Sequence, residues 1–222
     1  MEKIIAYSQE QEKKLQNEAI CFIKQTKLIL NGIIIIPKEI EVYYYREGIF
    51  SDQSVHQNEL QQNNKNHFYV HRIGKTKNDR YKGGNRAGVD FVISDEKGVY
   101  YSYLIRSAVI NGKTIYGPHN VLENIKKECN LEYNDIESIP VKVETFGSSN
   151  DVILSKRINL GRGFVNSKLR AVIFDNDFKS SKYKDKEILI REKIKNGNMP
   201  KEEAIDLVKK NMGYVPSSIK EL

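Results

Sequence analysis

The sequence predicts an α+β fold: one curved, mostly antiparallel sheet with a protruding basic β-hairpin and flanking helices. Two observations carry this. The elements run helix, many strands, then helices, and no strand–GxGxxG–helix unit or phosphate-binding loop interrupts the strands. The boundary falls near residue 180, with 181–222 as a C-terminal helical extension.

Residues 9–26 read as a helix, because Leu15, Ala19, Phe22 and Ile23 recur at helical spacing against Lys, Gln and Glu. Residues 27–36 become Ile-rich and strand-like around Asn31-Gly32, a hairpin turn signal, and Pro37 is expected to end them. Residues 38–47 alternate Ile40, Val42 and Tyr44 against Glu39, Glu41, Tyr43, Tyr45 and Glu47, a strand with one polar, aromatic-rich face. Residues 51–66 form a polar, Gln- and Asn-rich loop. Two strands, 67–73 and 88–94, flank the tip GKTKNDRYKGGNRA, and 99–109 is the strongest strand. Gly117-Pro118 opens a helix over 119–129. Further strands are expected at 138–145, 151–160 and 169–174. Residues 184–222 are charged and helical, with a helix start at Met199-Pro200.

The chain has 222 residues, 39% of them hydrophobic, including 13 Tyr and 8 Phe, which is too much apolar material for a disordered chain. Lys and Arg outnumber Asp and Glu by 36 to 29, an excess that suits a polyanionic partner without demanding one. The longest apolar run is far shorter than the roughly 20 residues of a membrane span, and the start lacks the pattern of a secretory signal. Cys21 and Cys129 stand far apart without further ligands at metal spacing, so no zinc site, no disulfide framework and a reducing cytoplasm are expected.

Four segments, in order over residues 18–178, resemble the alkylpurine (3-methyladenine) DNA glycosylase family. IEVYYYREGIFSDQSVH is similar to V-E-x-E-A-Y-x-G-x-x-D-x-x-x-H, with Gly48, Asp52 and His56 in step. FYVHRI with AGVDFVIS resembles the hairpin that carries a base-stacking Tyr and the wedge. YLIRSAVING with YGPHNVLENI resembles L-L-R-A-x-x-P-x-x-G … G-P-x-x-L, matching Arg106, Gly112, Gly117, Pro118 and Leu122. SKRINLGRGFVNSKLRAVIFD resembles the closing S-x-R-I-G segment.

The resemblance implies a monomeric, metal- and cofactor-free enzyme on double-stranded DNA containing modified bases. As a monofunctional glycosylase, using water and no lyase lysine, it would extrude a damaged or modified purine and hydrolyse its N-glycosidic bond as a nucleoid-associated cytoplasmic protein. Tyr45, His56 and His71 would form the base pocket with Tyr43 and Asp90, His71 standing where the family has a second stacking Tyr. Arg72, Lys75, Lys77, Arg80, Lys82 and Arg86 would meet phosphates, and Tyr81 would fill the gap left by the base. Arg106 would order the catalytic carboxylate. Tyr43 occupies the family's catalytic glutamate position, so Glu47 or Glu41 is the expected base, Glu47 if a bulge follows Tyr45. Val92 stands in place of the family's discriminating asparagine. A catalytically inactive lesion-binding protein on the same scaffold is the alternative, and an unrelated RNA- or protein-binding module is the third reading.

Overall fold

The computed structural model describes residues 6–148, 150–158, 160–161, 163–173 and 183–222. In chain order the elements are α1 (Gln9–Gln25), β1 (Thr26–Leu30), β2 (Ile33–Arg46), β3 (Phe50–Ser51), α2 (Leu60–Asn63), β4 (Phe68–Val70), β5 (Val89–Val92), β6 (Val99–Ile110) and β7 (Lys113–Tyr116). There follow α3 (Pro118–Cys129), α4 (Tyr133–Ser138), β8 (Lys142–Thr145), β9 (Val152–Ser155), β10 (Arg170–Ile173), α5 (Tyr183–Lys195), α6 (Lys201–Met212) and α7 (Ser217–Lys220). The fold is α+β, a single curled sheet of antiparallel strands flanked by helices. The expected strand end at Phe174 and the boundary at residue 180 lie outside the described residues.

Local chemistry explains most element ends. Ser8 caps α1, its hydroxyl accepting from the Gln11 N–H at 3.1 Å, and the helix buries Leu15, Ala19 and Ile23 along one stripe. Asn31-Gly32 (φ 48° and 80°) turns β1 into β2, as both residues adopt the left-handed conformation a tight hairpin needs. The same pair at Asn111-Gly112 (φ 47° and 79°) turns β6 into β7, a strand the sequence reading did not assign.

Pro37 does not end its strand. β2 runs through it for 14 residues, and the β2–β6 register shifts between Pro37 and Ile40, where proline's missing N–H would otherwise break the ladder. The bulge expected beyond Tyr45 is likewise absent: β2 pairs regularly with β6 to Arg46, then turns.

The main strand order is β4-β5-β6-β2-β1-β8, with β10 and β3 also on β2, β7 on β6 and β9 on β10. Register places Tyr69, Asp90, Leu104, Glu41 and Arg170 in one row across β4, β5, β6, β2 and β10. Paired residues share a sheet face, so all five side chains leave the same side. The opposite face is apolar: Ile40, Val42, Tyr44, Tyr101, Tyr103 and Ala171 pack with Leu15, Ala19 and Ile23 of α1. A second cluster joins Phe68, Phe91, Ile105 and Ile110 to Val121, Leu122 and Ile125 of α3.

The C-terminal helices pack on the sheet. Leu189, Ile190, Ala204, Val208 and Ile219 close a third cluster over Ile153 of β9 and Val172 of β10. Among the described residues no helix is long and apolar enough to cross a membrane.

Candidate functional site

The polar face of the sheet carries an unusual density of buried charge. Glu39 accepts from Arg106 Nε at 2.9 Å and from Arg170 Nε at 2.8 Å. Glu41 is fully buried; it accepts from the Ile158 N–H at 2.7 Å and the Tyr43 hydroxyl at 3.1 Å, with Arg106 Nη1 at 3.4 Å. Beside them Arg157 meets Asp52 at 2.6 Å, both side chains without exposure. Its Nη1 also reaches the Val42 carbonyl and the Ser54 hydroxyl, each at 3.0 Å. The Arg157 guanidinium lies 5.0 Å from the centre of the Tyr43 ring. Burial raises the Glu41 carboxyl above its ordinary range against the pull of Arg106. Burial, with the Glu41 charge, also drives the Tyr43 hydroxyl far above the ordinary phenol value. Tyr43 is therefore a neutral donor rather than a base at neutral pH.

Next to this network opens a cavity of about 150 Å³ lined by Tyr43, Ser54, His56, Gln61, His71, Asp90 and Leu160. A cavity of roughly that size holds one small aromatic ring. Its floor is Asp90, which accepts from His71 Nε2 at 2.7 Å, from Ser102 Oγ at 2.7 Å and from Gln61 Nε2 at 3.2 Å. Burial works to raise the Asp90 carboxyl. The His71 charge, the His71 and Ser102 hydrogen bonds and the nearby His56 outweigh it, so Asp90 titrates below the usual carboxylate range and stays ionised.

Asp90 fixes the orientation of His71. With Nε2 directed to Asp90, Nδ1 of His71 makes no hydrogen bond among the described residues. The Nδ1–Cε1 edge passes so close to Gly88 that an added Cβ would lie 3.2–3.3 Å from it. Glycine leaves that edge open. His56 packs edge-on against His71, ring centres 4.9 Å apart, and lines the same cavity. Its Nδ1 is 3.3 Å from the Tyr69 hydroxyl, and its Nε2 meets Lys82 Nζ.

The sequence reading placed Tyr43, His56, His71 and Asp90 in one pocket, and these four do line one cavity. Tyr45 and Glu47 do not join them. Tyr45 lies against Tyr100, ring centres 6.1 Å apart, and both line a separate groove with Arg46, Gln57 and exposed Glu47. Glu47 sits in the turn beyond β2, so no bulge brings it back. Glu41 is sealed behind Tyr43. Arg106 does meet Glu41, though its closest partner is Glu39. Val92 is buried in β5, two residues from Asp90.

The basic segment divides. Arg72 is buried in α4's reach: it pairs with Glu137, donates to the Asp79 carbonyl at 2.7 Å, and stacks 3.9 Å over the ring of Tyr81. Tyr81 donates to Glu137 at 2.7 Å and packs edge-on against Tyr133. Both are committed to the body of the protein rather than to the loop tip. Lys75 reaches Gln57 at 3.2 Å, and Asn58 fastens the loop through the Gly74 and Thr76 carbonyls at 3.1 and 3.0 Å. Lys77, Arg80 and Arg86 remain exposed.

Gln61, Ser54 and Leu160 were missed as cavity residues, and Glu137 as an anchor. Gln61 stood in a polar loop where Gln is ordinary, and nothing local marks it. Among the described residues no group of three or more His, Cys, Asp or Glu is placed to hold a metal ion. Neither a family model nor a curated protein sequence matches the chain.

Proposed function

We propose that this chain takes an extruded base of double-stranded DNA into the Asp90 cavity and hydrolyses its N-glycosidic bond, as a DNA glycosylase for a modified purine. One observation carries the reading. Segments far apart in the chain, each with a counterpart in the resemblance to alkylpurine glycosylases, bring Tyr43, His56, His71 and Asp90 around one ring-sized cavity.

In this reading His71 is the base. Asp90 has both oxygens occupied, so it acts through His71, holding the imidazole so that Nδ1 accepts a proton from water. Water then attacks the anomeric carbon while the base departs with the electrons of the C1′–N bond, the Tyr43 ring forming one wall beside it. Exposed Lys77, Arg80 and Arg86 are the phosphate contacts. The protein would work as a monomer in the cytoplasm, associated with the nucleoid.

A lesion reader without chemistry is favoured by a different observation: Glu41, one of the two carboxylates expected to act as base, is tied to Arg106 and the Ile158 N–H and does not line the cavity. Single-turnover excision on duplexes carrying hypoxanthine, ethenoadenine or 7-methylguanine separates the two. The enzyme releases base, loses release in His71→Ala and Asp90→Asn, and keeps it in Glu47→Gln. No release, with tighter binding to an abasic analogue than to intact duplex, means a reader. Absence of both sinks the DNA reading altogether.

A further inference from the structure

The polar face of the sheet holds a second hollow beside the cavity. This groove of about 380 Å³ is lined by Tyr45, Arg46, Glu47, Gln57, Tyr100 and the turn at 96–99. Two stretches of chain serve both hollows. On β2, Tyr43 walls the cavity and Tyr45 walls the groove. They pair with Ser102 and Tyr100 of β6, so both rings leave the same face, two residues and roughly 6.6 Å apart. In the loop after β3, His56 lines the cavity and the next residue, Gln57, lines the groove.

The chemistry of the groove selects what can sit in it. Its charges balance: Arg46 and Lys97 stand against Glu47 and Glu96, and Arg46 already meets Glu96 at 3.2 Å. A phosphate finds no net attraction there. Half-buried Tyr45 and Tyr100 present ring surface instead. Their centres are 6.1 Å apart and their planes at 67°, so a flat ring can stack on one and meet the edge of the other. Gln57 adds an amide, its Oε1 accepting from Lys75 at 3.2 Å. The volume is more than twice the roughly 150 Å³ that admits one small aromatic ring. A neutral flat ring with polar edges meets these conditions, as a nucleic-acid base does.

We propose that this groove binds the nucleotide next to the extruded one, its base stacked on Tyr45 or Tyr100, so that the protein takes DNA whose neighbouring pair is also open. The proposal rests on the reading of the Asp90 cavity as a base-extrusion site. Spacing favours an unpaired neighbour. Stacked nucleotides of a duplex strand follow each other at about 3.4 Å, and Tyr43 and Tyr45 are set about twice as far apart. A neighbour still stacked in the helix keeps the shorter step; one that has unstacked spans the longer. Every base has a face to stack, so the groove reads the opening of the pair rather than its sequence. The substrate class follows: lesions beside mismatches, in bulges or in single strands are taken ahead of those in fully paired duplex.

The experiment measures binding of the full chain to duplexes carrying one tetrahydrofuran abasic analogue, which needs no excision step. The neighbour, on the 5′ or the 3′ side, is mispaired in one duplex and a second tetrahydrofuran in another. The two differ in the base offered to the groove, since neither has a neighbouring pair to open. Wild type prefers the mispaired neighbour by roughly 5- to 150-fold, the worth of one stacked base. Tyr45→Leu or Tyr100→Leu, which keeps apolar bulk without the ring, loses that preference. Unchanged affinity of the same variant for the double analogue reports that it is folded. With 5-iodouracil as the mispaired neighbour, irradiation cross-links the base to the ring it stacks on, and peptide mapping finds Tyr45 or Tyr100. Wild type that prefers abasic over intact duplex but binds both neighbours equally overturns the groove proposal alone. So does a preference that survives in both variants, or a cross-link outside the groove. Wild type that prefers no abasic duplex over intact duplex overturns both this proposal and the reading beneath it.

Discussion

The Tyr43 hydroxyl donates to Glu41 Oε2 at 3.1 Å, and it is Tyr43, not Glu41, that faces the cavity. Two positions of one strand, on one face, thus divide into a wall and a buried support. Glu41 holds Arg106 and the Ile158 N–H, so its substitution acts on folding. Glu41→Gln is expected to cost about 3–5 kcal/mol, because the Arg106 charge stays buried with one partner removed. Tyr43→Phe keeps the ring beside Arg157 and loses one hydrogen bond, about 1 kcal/mol. Urea denaturation of the two variants checks this order, and equal costs would contradict the division.

Asp90 provides a pH signature. Its folded-state value lies below the ordinary 3.8, so the ionised form is the one the fold favours. The stability it contributes is present above about 3.8 and is lost as pH falls through the lower folded value. Asp90→Asn removes the charge and should cost about 1–3 kcal/mol near neutrality. The gap between wild type and variant, read from denaturation midpoints along a pH series, stays open down to about pH 3.8 and closes below it. A gap that widens on acidification would contradict the assignment.

The basic segment separates into support and contact. Arg72→Ala leaves Glu137 buried without its cation and should destabilise by about 3–5 kcal/mol. Arg80→Ala and Arg86→Ala should leave the denaturation midpoint unchanged. Under the DNA reading, each instead weakens duplex binding and reduces the slope of log affinity against log salt by roughly 0.9. Titrations at several salt concentrations distinguish the two classes.

Gly163 meets two constraints at once. Its φ is +79°, and a Cβ there would lie 2.3 Å from Asp52 Oδ1, the carboxylate that pairs with Arg157. Gly98 has a similar φ, +83°, with nothing within 4 Å. Gly98→Ala therefore carries the backbone cost alone, about 1–2 kcal/mol. Gly163→Ala should cost more, because Asp52 must also move, and thermal denaturation of the pair measures the difference.

Much of the fold was legible because it is written in local pattern. The stripe of Leu15, Ala19 and Ile23, the Asn31-Gly32 turn, and the alternation of Glu39, Glu41, Tyr43 and Tyr45 each need only a few neighbouring residues to act. Pro37 was misread because a bulge accommodates it, and α4 was missed because a six-residue helix with a capping box leaves little periodicity. The approach of His56, His71 and Asp90 followed from the resemblance and not from spacing.

What the sequence determined alone, then, is the identity of the longer strands, their polar and apolar faces, and the Asn31-Gly32 turn, since these depend on side-chain period and backbone preference; the short β3 and β7 were not among them. Which carboxylate opens onto the cavity was decided only in three dimensions. Asp90 and Glu41 occupy the same row of the sheet, two strands and roughly 10 Å apart. Arg106 and the Ile158 N–H, 65 and 117 positions from Glu41 in the chain, seal one of them. His71, Ser102 and Gln61 hold the other at the cavity floor. A buried charge takes its role from the partners that neutralise it, and those partners arrive from distant segments only when the sheet closes.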